Sequence, residues 1–150
     1  MSSRLLTMVL LFTALAVLAS CASTGASPTA SEPTGIVLKP NDNNFTISLG
    51  ETKTAYLLKQ DTSYKLVRVE DGEQKGKDIV VFTYTGDSEM QLLSVMNHLE
   101  ERIITYDCYQ IKGNKARPTT IMGAIKDMPS TEMWSDGIKT LLIENIRVAK

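Results

Sequence analysis

Residues 88–103 read SEMQLLSVMNHLEERI, and the fold expected for this chain is built around them. Leu92, Val95, Met96, Leu99 and Ile103 recur at three- and four-residue spacing, the period of one helix face. Glu89, Asn97, His98, Glu101 and Arg102 fall off that stripe. Ser88 followed three residues later by Gln91 matches a capping box. The spacing therefore predicts an amphipathic helix from about Glu89 to Arg102, with its apolar stripe against a sheet.

The flanking segments read as strands. Phe45, Ile47 and Leu49 alternate with Thr46 and Ser48 before Gly50, the pattern of a half-buried strand ended by a turn. Thr54 to Lys59 is β-prone and placed to pair with it across Gly50-Glu51. Tyr64 to Glu70 and Ile79 to Thr85 are rich in Val, Leu, Ile and aromatic residues, with Asp71-Gly72 and Gly76 between them. They read as a hairpin with a polar loop. Both faces of Ile79–Thr85 are largely apolar, which marks a central strand.

After the helix, Ile104 to Ile111 alternates, Gly113-Asn114 marks a turn, and Thr119 to Lys126 is a return strand weakened by Gly123. Pro129-Ser130-Thr131 suits the start of a short helical turn. Trp134, Ile138, Leu141, Leu142 and Asn145 fit a helix, but Ile143, Ile146 and Val148 favour a strand from Ile138 to Ala149. The expected class is α+β: an antiparallel sheet of about six or seven strands with one long amphipathic helix packed on it.

The chain has 150 residues and a formal net charge of −1, which suits one domain. Such a balance lacks the cation excess that neutralises duplex phosphates, so no nucleic-acid partner is expected. Its N-terminus is a separate feature. Arg4 is followed by Leu5 to Val17, apolar except for Thr7 and Thr13, and then by Leu18-Ala19-Ser20-Cys21. The apolar run is shorter than the roughly 20 residues a membrane span needs and has the form of a secretory signal peptide.

That order of charge, apolar run, small residues and cysteine resembles the leader and lipobox of bacterial lipoproteins, over residues 1–21. The resemblance implies cleavage before Cys21 and lipidation of its thiol. Two or three acyl chains anchor a protein stably, whereas one binds marginally. Ala22 follows the cysteine where an Asp would favour inner-membrane retention, so the resemblance points to an outer membrane facing the periplasm in a Gram-negative host. Loss of residues 1–20 removes Arg4 and no acid, leaving 15 basic against 17 acidic side chains, a net charge of −2. Residues 21–35 then form the lipidated Cys and a linker of small, polar, Gly and Pro residues with a reach of ~20 Å, and 36–150 a single globular domain.

Candidate chemistry is sparse. With Cys21 lipidated, Cys108 is the remaining cysteine. It alternates with Ile104 and Tyr106 and reads as a small buried side chain rather than a reactive thiol. His98, the single histidine, lies on the polar side of the expected helix, away from Cys108, so no Cys–His pair is expected. One His and one free Cys make no zinc pattern. Asp61, Asp71, Glu73 and Asp78 lack the spacing of a calcium loop, and no cofactor motif is present. Lys112, Lys115 and Arg117 read as a charged hairpin tip. The expected function is a non-enzymatic, membrane-anchored module that binds an envelope protein partner. The alternatives are a small-ligand or glycan binder, with Tyr56, Tyr64, Tyr84, Tyr106 and Tyr109 around a pocket between helix and sheet, and a thiol enzyme using Cys108.

Overall fold

A computed structural model describes residues 43–150; the leader, Cys21 and the linker lie outside them. The described residues form ten strands: β1 (Asn44–Ser48), β2 (Thr52–Gln60), β3 (Ser63–Asp71), β4 (Ile79–Gly86), β5 (Gln91–Asn97), β6 (Ile103–Lys112), β7 (Lys115–Thr119), β8 (Ala124–Ile125), β9 (Pro129–Trp134) and β10 (Thr140–Val148). They make one curled sheet in the order β7-β6-β10-β3-β2-β4-β5-β9, with β1 also beside β10 and β8 beside β6. All strand pairs are antiparallel. The class is all-β. The α+β expectation is overturned, because no helix occurs among the described residues.

The error traces to residues 91–97, whose apolar spacing satisfies two periods. Leu92, Val95 and Met96 lie on one helix face, yet Gln91, Leu93, Val95 and Asn97 also alternate. The strand is what forms: these four are buried while Leu92, Ser94 and Met96 are half-exposed. Seven register pairs join β5 to β4, from Val80↔Asn97 to Gly86↔Gln91. Ser94, Val95, Asn97 and His98 are mediocre helix formers, and a lone helix of this length draws most of its stability from tertiary packing.

The capping signal belongs to a hairpin turn. Asp87, not Ser88, accepts through its side chain, from the backbone N–H of Glu89 at 2.8 Å and of Met90 at 3.0 Å. Those contacts hold the Asp87 carboxyl below the usual carboxylate range. A buried amide then clamps each end of β5. The Gln91 side chain donates to the Asp87 carbonyl and accepts from Gly137 N–H at 3.0 Å. The Asn97 side chain accepts from Leu99 N–H at 2.9 Å and donates to the carbonyls of Glu101 and Ala124. Both side chains are fully buried, and such groups are tolerated inside when they are hydrogen-bonded.

Two strand pairings also differ from expectation. β1 joins β10, with Phe45↔Ile143 and Ile47↔Leu141, rather than β2. β3 does not pair with β4, because β2 lies between them, with Tyr56↔Arg68 on one side and Ala55↔Val80 on the other. The β2–β3 hairpin turns at Asp61-Thr62, where Asp61 has φ 50°, a left-handed conformation that Asp tolerates in tight turns. The loop 72–78 therefore crosses over. Thr54 donates to the Gly72 carbonyl at 2.7 Å and accepts from Gln74 N–H, which carries the loop across outward-facing Thr54. That covering buries Ile79 and Val81 on the outer side of β4. Residues 129–131 begin strand β9 instead of a helical turn, and the predicted return strand 119–126 resolves into the end of β7 and the two-residue β8. The C-terminal segment is the strand β10.

The concave face holds the core. Val80, Phe82 and Tyr84 from β4, Leu93 and Val95 from β5, Ile104 and Tyr106 from β6, and Leu141 and Ile143 from β10 meet there. Near one end the curl is bridged by β8, which pairs Ile103↔Ile125 and Ile104↔Ala124 with β6 and places Lys126 beside Asn97 of β5. Farther along, the outermost strands β7 and β9 are linked by side chains. Trp134 Nε1 donates to Thr119 Oγ1 at 2.8 Å, and the Glu132 carboxylate accepts from Met122 N–H.

Candidate functional site

Cys108 lies on the inward face of β6, 2% exposed, between Tyr106 and Gln110. Burial pushes its thiol up to about 12, and the Glu132 carboxylate facing the same interior adds to the effect. A thiol acts as a nucleophile through its thiolate, so Cys108 is protonated at neutral pH and shut from solvent. His98 follows β5 and no helix carries it; its Nδ1 sits 3.0 Å from Asp127 Oδ1. The two residues are not brought together as a catalytic pair.

The five tyrosines do not share a pocket, and the helix that would have roofed one is absent. Tyr64, Tyr84 and Tyr106 are core residues. Tyr84 donates to the Ile138 carbonyl at 2.7 Å, and burial pushes its phenol up to about 12. Tyr56 sits outside the core, hydrogen-bonded to Glu70 and 3.9 Å beneath the Arg68 guanidinium. Tyr109 faces outward from β6. Lys112 and Lys115 pair across the Gly113-Asn114 turn, with Arg117 two residues farther along β7. Among the described residues, no three His, Cys, Asp or Glu side chains converge to hold a metal ion.

A different surface stands out. Of seven methionines, Met1 and Met8 fall within the first ten residues, and the other five all fall between residues 90 and 133. They lie on or beside β5, β8 and β9. Register puts Leu92 opposite Met133 and Met96 opposite Pro129, and all four face away from the core because Leu93, Val95 and Ser130 alternate with them toward it. Met122 and Met128 lie in the segments flanking β8, and Ile103 pairs outward with Ile125. Met122 is 84% exposed and Met133 61%, and Met90, Met128, Ile103 and Ile125 are also exposed. Single exposed apolar residues are ordinary, but a concentration on one face marks an interaction surface. Methionine suits it, since its unbranched thioether adapts to the shape of a partner.

The two end strands are built differently. β9 begins with Pro129 and turns the Glu132 carboxylate inward; β7 carries Lys115, Arg117 and Pro118. Proline and inward or flanking charge are the features that discourage another strand from adding to a sheet edge. A partner therefore has the outer face available to it rather than the edges. Sequence reading missed this face because its residues come from separate strands. The signal open to it was the crowding of methionines into residues 90–133. No family model, curated protein or solved structure matches the chain.

Proposed function

We propose that this chain is a lipid-anchored cell-envelope protein whose outer β5–β8–β9 face docks an apolar surface of a partner protein. The observation that carries the docking role is the outward-facing set Leu92, Met96 and Met133 on β5 and β9, with exposed Met90, Met122 and Met128 in the segments that flank these strands and β8, next to edges guarded by Pro118 and Pro129. The anchor rests on the leader and on Cys21, which lie outside the described residues.

A photo-crosslinking residue at Met133 or Ile125 is expected to capture one predominant protein in the native host. The same residue at Val67, an isolated exposed apolar position on β3, is the control. Equal capture from all three positions would remove the docking role. Met122→Glu with Met133→Glu should abolish the adduct formed from Ile125 while changing stability by only ~0.5 kcal/mol each, as surface substitutions do.

The anchor has its own measurement. Intact mass of the protein from its host is expected to show the leader gone and a diacylglyceryl group on Cys21. A free thiol there would discard the membrane attachment and leave the docking face standing.

A further inference from the structure

On a different part of the outer surface, strand β10 breaks its ladder. The register against β6 shifts between Glu144 and Arg147, and Asn145 takes φ 53°. On its other side β10 pairs with β1 as far as Asn44↔Glu144 and resumes with β3 at Ser63↔Arg147. Asn145 and Ile146 thus have no ladder partner at the point where one neighbour gives way to another. Bulges of this kind re-aim side chains and recur at binding sites.

A cleft of about 400 Å³ opens there, lined by Asn43, Ser63, Asp107, Asn145, Ile146 and Arg147. Five of the six are polar, and the sixth, Ile146, is a buried core residue. The planar groups are locked to one another. Asp107 Oδ2 accepts from Asn145 Nδ2 at 2.9 Å, and Asp107 Oδ1 accepts from Arg147 Nη2 at 2.8 Å. Arg147 Nη1 donates to the Asn145 carbonyl at 2.8 Å. Asn43 is tied to β3 by accepting from Leu66 N–H at 2.7 Å. Groups held in place before a ligand arrives lose little freedom when it binds.

Charge narrows the ligand. Within the lining Asp107 and Arg147 cancel, and Glu144 alongside adds a negative charge, so the cleft itself offers an anion no uncompensated cation. Too few acids converge to hold a metal ion. What remains is a neutral molecule rich in hydroxyls, which can both donate to carboxylate and amide oxygens and accept from amide and guanidinium N–H groups. Tyr109, outside the six lining residues but beside them on β6, offers a complementary apolar element. It shares the outer face of β6 with Asp107 and stands diagonally across from Glu144, half-exposed. A sugar ring has such a dual character, with a C–H face and a rim of hydroxyls. We infer that the cleft at the β10 bulge binds a neutral carbohydrate, with Asp107, Asn145 and Arg147 hydrogen-bonding its hydroxyls and Tyr109 covering its C–H face.

The test is titration of the full-length protein, in mild detergent, with cellotetraose, maltotetraose and chitotetraose, and separately with inorganic phosphate and glucose 6-phosphate. At least one neutral tetrasaccharide is expected to bind with a Kd on the order of 1 mM, and its binding should shift the Asn145 side-chain amide and Arg147 Nε–H resonances. Tyr109→Ala and Arg147→Lys should each weaken binding roughly tenfold, whereas Met133→Glu should leave it unchanged, which separates this site from the docking face. No binding of any tetrasaccharide at about 10 mM, tighter binding of the phosphates, or resonance shifts confined to other strands would overturn the assignment. The resonance map comes from the unmutated protein, so it decides the matter even if a variant fails to fold.

Discussion

Phe82→Ala is expected to lower the unfolding free energy by about 3–5 kcal/mol, the usual cost of emptying a buried aromatic site. Phe82 is fully buried on β4 and joins three parts of the chain. Its ring meets Phe45 of β1 edge-on with centroids 5.3 Å apart, and Tyr106 of β6 with centroids 5.4 Å apart. Truncation leaves a void bounded by strands remote in sequence, and ladder hydrogen bonds resist its collapse. Domains are stable by only about 5–15 kcal/mol, so the variant would lie close to its unfolding midpoint in mild denaturant. Urea titration of wild type, Phe82→Ala and the surface control Val67→Ala measures this. A loss under about 1 kcal/mol at Phe82, comparable to the control, would mean that β1, β4 and β6 do not meet around this ring.

Gly86→Ala is the second large effect. Gly86 closes the β4–β5 hairpin opposite Gln91 at φ 131°. A Cβ there would lie 2.1 Å from the Met90 carbonyl oxygen and 2.8 Å from Gln91 Cα. Both obstacles are backbone, so no rotamer relieves them. Backbone strain of roughly 1–3 kcal/mol is compounded by displacement of the turn that sets seven register pairs. The expected loss is at least about 3 kcal/mol, in the tail of single-substitution effects. Gly72→Ala is the matched control: φ is 83°, yet nothing lies within 4 Å of the added carbon, so only the backbone preference is lost. Unfolding of both variants under identical conditions makes the comparison. If Gly86→Ala proves as mild as Gly72→Ala, the β4–β5 turn is not built as described.

What could be read from the residues was local. The alternation at Phe45–Leu49, the apolar run at Ile79–Thr85 and the alternation through Cys108 each produced the expected strand, because a strand's own side chains report which faces are covered. Three things were not local. Residues 91–97 satisfied two periods, and the choice was made by β4 and β9 on either side, not by the segment itself. The pairings of β1 with β10 and of β2 between β3 and β4 depend on partners up to about a hundred residues away. The outer apolar face and the β10 cleft are assembled from several strands. Asp107 and Arg147 are far apart in sequence, and Asn145, which fits a helix face together with Trp134, Ile138, Leu141 and Leu142, takes instead a left-handed backbone that marks a bulge.

The methionine-rich face also sets how the molecule responds to oxidising chemistry. Peroxide or hypochlorite converts a thioether to a sulfoxide, turning an apolar, pliable group into a polar one. Met90, Met122, Met128 and Met133 lie open to such reagents, whereas the sulfur of Cys108 is sealed inside. Oxidant would therefore rewrite the outer wall of the sheet and leave the interior chemically untouched.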